Sequence, residues 1–121
     1  DYTSHIMTSM VMPDIHNQAL KSVREFHRLS TRFAPGRAVN YVQFEGFMGA
    51  KLLVTMLRKT GSPINISQIP RVMASMKQQD IGIRSKVSFQ ASNQGLNDVY
   101  FITFTNGAIT PIASFSQWRK Q

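Results

Sequence analysis

The sequence predicts an α/β chain: one short N-terminal strand, three helices, then a C-terminal strand and a β-hairpin. Three observations predict it. Apolar residues recur at three- and four-residue steps through three stretches between Asp14 and Lys77. After Asp80 the period falls to two, with Ile83, Val87 and Phe89 alternating with Arg84, Lys86 and Ser88. Asn106-Gly107, the preferred pair for a tight type I′ turn, then separates two β-prone arms. The 121 residues, 42% hydrophobic, suit one globular segment spanning 1–121.

The elements follow in order. "IMTSMVM" is short, apolar and stopped by Pro13, which predicts a buried strand over 6–12. Asp14 is a capping residue before Ile15, Ala19, Val23, Phe26 and Phe33, and the pattern predicts a helix over 14–33, ended by Pro35-Gly36. A second helix is expected over 43–60, with Arg58 and Lys59 in its last turn and Gly61 at its end. Its residues Phe44, Phe47, Met48, Leu52, Leu53, Val54, Met56 and Leu57 cover more than half the circumference, so burial on more than one side is expected. A third helix is expected over 67–78, capped by Ser67, with Pro70 in the first turn and an apolar stripe of Ile69, Val72, Met73 and Met76. Strands are expected over 83–89, 98–104 and 108–115, with Pro111 placing the last at a sheet edge.

The chemistry is sparse. With zero cysteines there is no disulfide, thiolate metal site or cysteine nucleophile. His16 and His27 are eleven residues apart, about 16 Å along a helix, and cannot share one ion; neither they nor His5 belongs to a metal-ligand spacing. No nucleotide-binding glycine pattern or nucleophile elbow is present, so no cofactor is expected and an enzyme is not. No run of about 18 apolar residues could span a membrane.

The net charge of +8 is the strongest compositional feature. Lys21, Arg24, Arg28 and Arg32 form one basic stripe on the first helix, with Glu25 placed to pair with Lys21 and Arg28. A nucleic-acid-binding module would use such a stripe, but no aromatic residue interleaves with it, and a solvated helix face is the plainer reading. Tyr41, Phe44 and Phe47 cluster at the entry to the second helix. They suit a core, or the apolar wall of a ligand cleft. Gly46, Gly49 and Ala50 lie together on that helix, each glycine costing about 1 kcal/mol, which predicts a close approach by another element.

In order and spacing these motifs resemble the C-terminal third of the type I periplasmic substrate-binding proteins of ABC transporters, the leucine/isoleucine/valine-binding family. The likeness rests on Val11-Met12-Pro13; Glu45-Gly46-Phe47 with Gly49-Ala50-Lys51, Leu53-Val54, Leu57-Arg58-Lys59 and Gly61; Asp80-Ile81-Gly82; and Gln94-Gly95, Val99-Tyr100-Phe101 and Asn106-Gly107. Departures are Phe47 for the family's Tyr, Met12 for Val, Ile83 for a second Gly, and no His before Gln94.

The resemblance implies a periplasmic receptor that delivers an amino acid or similar small polar ligand to an ABC transporter permease. This segment would be scaffold and hinge. Residues 6–13 would be a hinge strand, with the chain crossing back near Asp80 to Phe89. Tyr41, Val42 or Phe44 would supply a pocket wall, and Gly46, Gly49 and Ala50 the side of a helix pressed on a sheet. As an isolated chain, the segment is expected to form a homodimer and to bind no amino acid with useful affinity.

Overall fold

The structure, a computed structural model, describes residues 5–118. It divides into two compact units. One is built from the two ends of the described chain, up to Asp14 and from Asp98; the other is Ile15–Asn97. The backbone therefore passes between units twice, at 14–15 and at 97–98, and the return lies later than the Asp80–Phe89 expected from the sequence.

The terminal unit is a three-stranded antiparallel sheet. Strand β1 (Thr8–Met10) pairs with β4 (Tyr100–Thr105), which pairs with β5 (Ala108–Pro111). The β4–β5 turn has Asn106 at φ 52° and Gly107 at φ 76°, the two positive values a type I′ turn requires. Pro111 lies on the edge strand as predicted, because it has no N–H to give a further neighbour.

Two expectations fail here. The strand over 6–12 shrinks to three residues and is not buried: Ile6 is 50% and Val11 56% exposed, since β1 is itself an edge. The strand over 108–115 stops at Pro111, and Phe115–Trp118 forms a short helix, α4. Its turn is closed by the Trp118 N–H donating to the Ser114 carbonyl at 3.3 Å.

The second unit holds α1 (Lys21–Phe33), α2 (Tyr41–Lys59), a 3-10 turn (Ile66–Gln68) running into α3 (Ile69–Ser75), and a two-stranded ladder of β2 (Gln79–Asp80) and β3 (Lys86–Val87). Helix α1 starts seven residues later than predicted. Asp14 is not its cap, and Leu20 at the cap position makes no side-chain cap bond. Residues 15–20 are instead held in turns by side chains. Asn17 Oδ1 accepts the Ala19 N–H at 3.1 Å, and Arg24 Nη1 donates to the Gln18 and Ala19 carbonyls at 2.6 and 3.0 Å.

Helix α3 is shorter than the predicted 67–78. Asn65, not Ser67, is the residue whose side chain accepts at the start of this segment, from the Ser67 N–H at 3.1 Å. Pro70 stands in the first turn as expected. The predicted strand over 83–89 is laddered only at Lys86–Val87, and β2 was not anticipated. The alternation itself holds, since Ile83 and Val87 are buried while Arg84 and Lys86 are exposed.

The core of this unit is formed by Val23 and Phe26 of α1, Phe44, Met48 and Met56 of α2, and Val72 and Met76 in and after α3, with Ile81, Ile83 and Val87. Met56, Val72 and Met76 are buried together, with Leu52, Ile69, Met73 and Phe89 against them, so the α3 stripe packs as its spacing predicts.

Candidate functional site

The entry to α2 is fixed by a capping box. Asn40 Oδ1 accepts the Gln43 N–H at 2.9 Å, and Gln43 Oε1 accepts the Asn40 N–H at 3.1 Å. Two otherwise orphaned amides are satisfied reciprocally, so the helix begins at Tyr41 rather than at residue 43. The N-x-x-Q signature was present in the sequence and marks this start.

The three expected pocket residues part company here. Phe44 is fully buried, its ring 5.2 Å from that of Phe26 and stacked on Phe47 with centroids 6.2 Å apart. It is a core residue and lines no cleft in this structure. Its position explains this: it shares a helix side with Met48, four residues on, which faces the same core. Val42 is 78% exposed and Tyr41 half-buried.

Gly46, Gly49 and Ala50, expected to be the side of the helix pressed on a sheet, meet no such partner among the described residues. Among the described residues nothing beyond the helix's own adjacent backbone lies within 4 Å of where a Cβ would stand on Gly46 or Gly49, and both, with Ala50, are exposed. The 3.6-residue repeat puts Val42, Gly46, Gly49 and Leu53 on one side of α2, opposite Phe44 and Met48. Leu53 is 50% exposed. Among the described residues the helix is therefore buried on one side only, and none of their elements provides the close approach.

Close approaches occur elsewhere. A Cβ on Gly82, whose φ is +82°, would stand 2.5 Å from Ser22 Oγ, and one on Gly95 2.6 Å from the Phe89 ring. Gly82 belongs to a buried latch. The Ser22 hydroxyl donates to the Ile81 carbonyl at 2.5 Å and accepts from Lys51 Nζ at 2.7 Å, and the Ser22 N–H donates to the Gly82 carbonyl at 2.9 Å. Lys51 also pairs with Glu25 at 2.5 Å. Glu25 thus pairs across to α2 rather than along α1 with Lys21 or Arg28. The latch ties α1, α2 and the β2–β3 loop. Its partners are 29 and 59 residues apart, so no local sequence signal could reveal it.

The basic stripe is brought together only in part. Lys21, Arg24 and Arg28 line one depression with Lys51, whereas Arg32 lies over the Phe33 ring at 5.1 Å. His27 is part-buried, with Nε2 2.7 Å from the Ile15 carbonyl. Among the described residues no group of three or more His, Asp or Glu could hold a metal ion. Among them too, no helix is long and apolar enough to cross a membrane.

Two solved structures superpose on this backbone. One is a substrate-binding periplasmic protein from Ralstonia solanacearum, with a TM-score of 0.78 and 22% identity over 88% of this chain. The other is a possible leucine/isoleucine/valine-binding protein from Rhodopirellula baltica SH 1, with a TM-score of 0.80 and 21% identity over 95% of this chain. The chain has the fold of part of a periplasmic substrate-binding protein. It spans 31% and 30% of the lengths of those two proteins. At such identities the likeness shows the fold alone. No family model and no curated protein matches the chain.

The chain enters and leaves its second unit at 14–15 and 97–98, and α2 presents a side that the described residues leave uncovered at Gly46 and Gly49.

Proposed function

We propose that the chain is part of an extracytoplasmic solute-binding receptor. The complete receptor delivers an amino acid or similar small polar ligand to the permease of an ABC importer, without catalysing a reaction. This segment is scaffold and hinge. The observation that carries the reading is the superposition of 88–95% of the chain on periplasmic binding proteins about three times its length. The two crossings at 14–15 and 97–98 act as the hinge connections. Gly46, Gly49 and Ala50 are the side of α2 that a sheet outside this chain covers, where the absence of side chains lets backbones meet. Tyr41 and Val42, at the first turn of α2, are the residues of this segment nearest to a ligand contact; buried Phe44 is not.

The test is calorimetric titration of branched-chain and polar amino acids into the polypeptide encoded by the complete reading frame, and into the 121-residue chain alone. The complete polypeptide is expected to bind at least one amino acid and the chain alone none. A reading frame without additional βα-rich regions overturns the receptor reading. Sub-micromolar binding by this chain alone overturns the scaffold role.

A further inference from the structure

The charge of the chain is concentrated in one unit. Residues 15–97 carry twelve Lys and Arg against three carboxylates, a net +9, while the remaining residues carry two against three. Within that unit, Lys21, Arg24 and Arg28 lie along the exposed side of α1. With Lys51 and Glu25 they line a depression of about 480 Å³. A second depression, of about 300 Å³, begins at the same Glu25–Lys51 pair and continues past Ala50, Val54 and Arg58 of α2. The two together form a furrow that is cationic on the α1 side and apolar on part of the α2 side.

From these features we infer that the α1–α2 furrow docks an acidic segment of a protein partner. Carboxylates of the segment meet Lys21, Arg24 and Arg28, and an apolar side chain rests on Ala50 and Val54. The inference does not depend on the solute-binding reading.

Four points carry it. Arg24 is pre-positioned, because its Nη1 is held by the carbonyls of Gln18 and Ala19. The guanidinium has five N–H donors, and its Nε and Nη2 edge matches a carboxylate bidentately. Next, the single carboxylate in the furrow is already matched: Glu25 is 2.5 Å from Lys51, so the three α1 cations are in excess.

The furrow's openness argues against a small anion. An exposed ion pair contributes only about 0–1 kcal/mol, so useful affinity needs several contacts on one ligand. The cations from Lys21 to Arg28 span about 10 Å of helix, the reach of a peptide segment. Finally, the walls suit aliphatic groups more than bases. Val54 is 44% exposed, while the one aromatic ring of the furrow, Phe47, has Lys51 Nζ 5.8 Å from its centroid and is half-buried. A single strand would be held by stacking on an open ring, which this furrow does not offer.

The test is fluorescence anisotropy of the full chain with a labelled peptide of alternating Glu and Leu, at low and near-physiological salt. A Gln-Leu peptide and a single-stranded oligonucleotide of equal charge serve as comparison probes. Arg24→Gln combined with Arg28→Gln is compared with the charge-matched pair Arg71→Gln and Lys86→Gln, both exposed and outside the furrow. Circular dichroism confirms that each variant is folded. The furrow pair is expected to weaken the Glu-Leu peptide about tenfold and the control pair less than twofold, and Val54→Ser to weaken it without changing its salt dependence. Equal losses from both pairs would show that only net charge is sensed and would overturn the inference. No binding of the acidic peptide would do the same. Tighter binding of the oligonucleotide than of the peptide would assign the furrow to nucleic acid instead.

Discussion

Replacing Gly46 or Gly49 with Ala should stabilise this chain when it is dilute. Both positions lie well inside α2, six and nine residues into a nineteen-residue helix. Glycine there is about 0.8–1 kcal/mol less favourable than alanine, because it loses more backbone freedom on folding. That gain is normally cancelled where a new Cβ meets a neighbour, but among the described residues none beyond the helix's own backbone lies within 4 Å of either position. Each substitution should therefore add about 0.8 kcal/mol, and the double variant about 1.5 kcal/mol, since alanines at these positions do not compete for one partner. Urea denaturation followed by far-ultraviolet circular dichroism at low micromolar protein would show the midpoint rising with the slope unchanged. A loss of stability of 0.5 kcal/mol or more from either variant at the lowest concentration would mean that something of this chain lies on that side, and would refute the open-face assignment. In the complete polypeptide the sign should reverse if a sheet covers the two glycines, because the same Cβ atoms would then meet backbone.

The remaining predictions use the same denaturation assay or hydrodynamics. Gly82→Ala should cost about 2–3 kcal/mol, since φ is +82° and the added Cβ would fall 2.5 Å from Ser22 Oγ and 3.1 Å from Ser22 N; an unchanged midpoint would contradict the latch geometry. Asn40→Ala should cost about 1 kcal/mol by removing the acceptor of the capping box, while Asn40→Ser should recover most of it. The isolated chain should self-associate, most simply as a homodimer, through the side of α2 carrying Val42 and Leu53; sedimentation velocity showing a clean monomer at high micromolar concentration would count against this.

Much of the fold was legible because it is written in local patterns. The Asn106-Gly107 turn, the α3 stripe and the alternation from Ile83 to Val87 each depend on residues a few positions apart, and each formed. The α1 start was not legible for the opposite reason. Ile15 and Ala19 continue the helical spacing of Val23 and Phe26, but Ile15 is buried as part of a turn, with its carbonyl against His27 and the Gln18 and Ala19 carbonyls held by Arg24. Tertiary contacts overrode the periodicity. The strand over 6–12 failed similarly: apolar content suggested burial, but an edge strand of a three-stranded sheet has little to bury it. At the candidate site, the sequence located the helix but not which of its sides faces this chain's own core. Phe44 and Val42 are two residues apart and lie on nearly opposite sides of the axis, and it is the elements packed on α2, α1 first among them, that decide which of them is inward.

The position of α1 against α2 is held by the packing of Phe26 on Phe44 and, beside it, by Lys51. The ammonium is shared between Ser22, fully buried, and Glu25, part-exposed, both on α1. Ser22 in turn anchors Ile81 and Gly82, so one side chain of α2 fixes its rotation against α1 and the β2–β3 loop together. With Lys51 turned toward α1, Phe44 and Met48 must point into the core and Gly46, Gly49 and Leu53 must point away, because the helical repeat leaves no other arrangement. Losing the latch would thus do more than remove hydrogen bonds. It would remove one of the restraints, beside the burial of Phe44 and Met48, that turn the small-residue side of α2 away from α1, the side on which the proposed receptor scaffold depends.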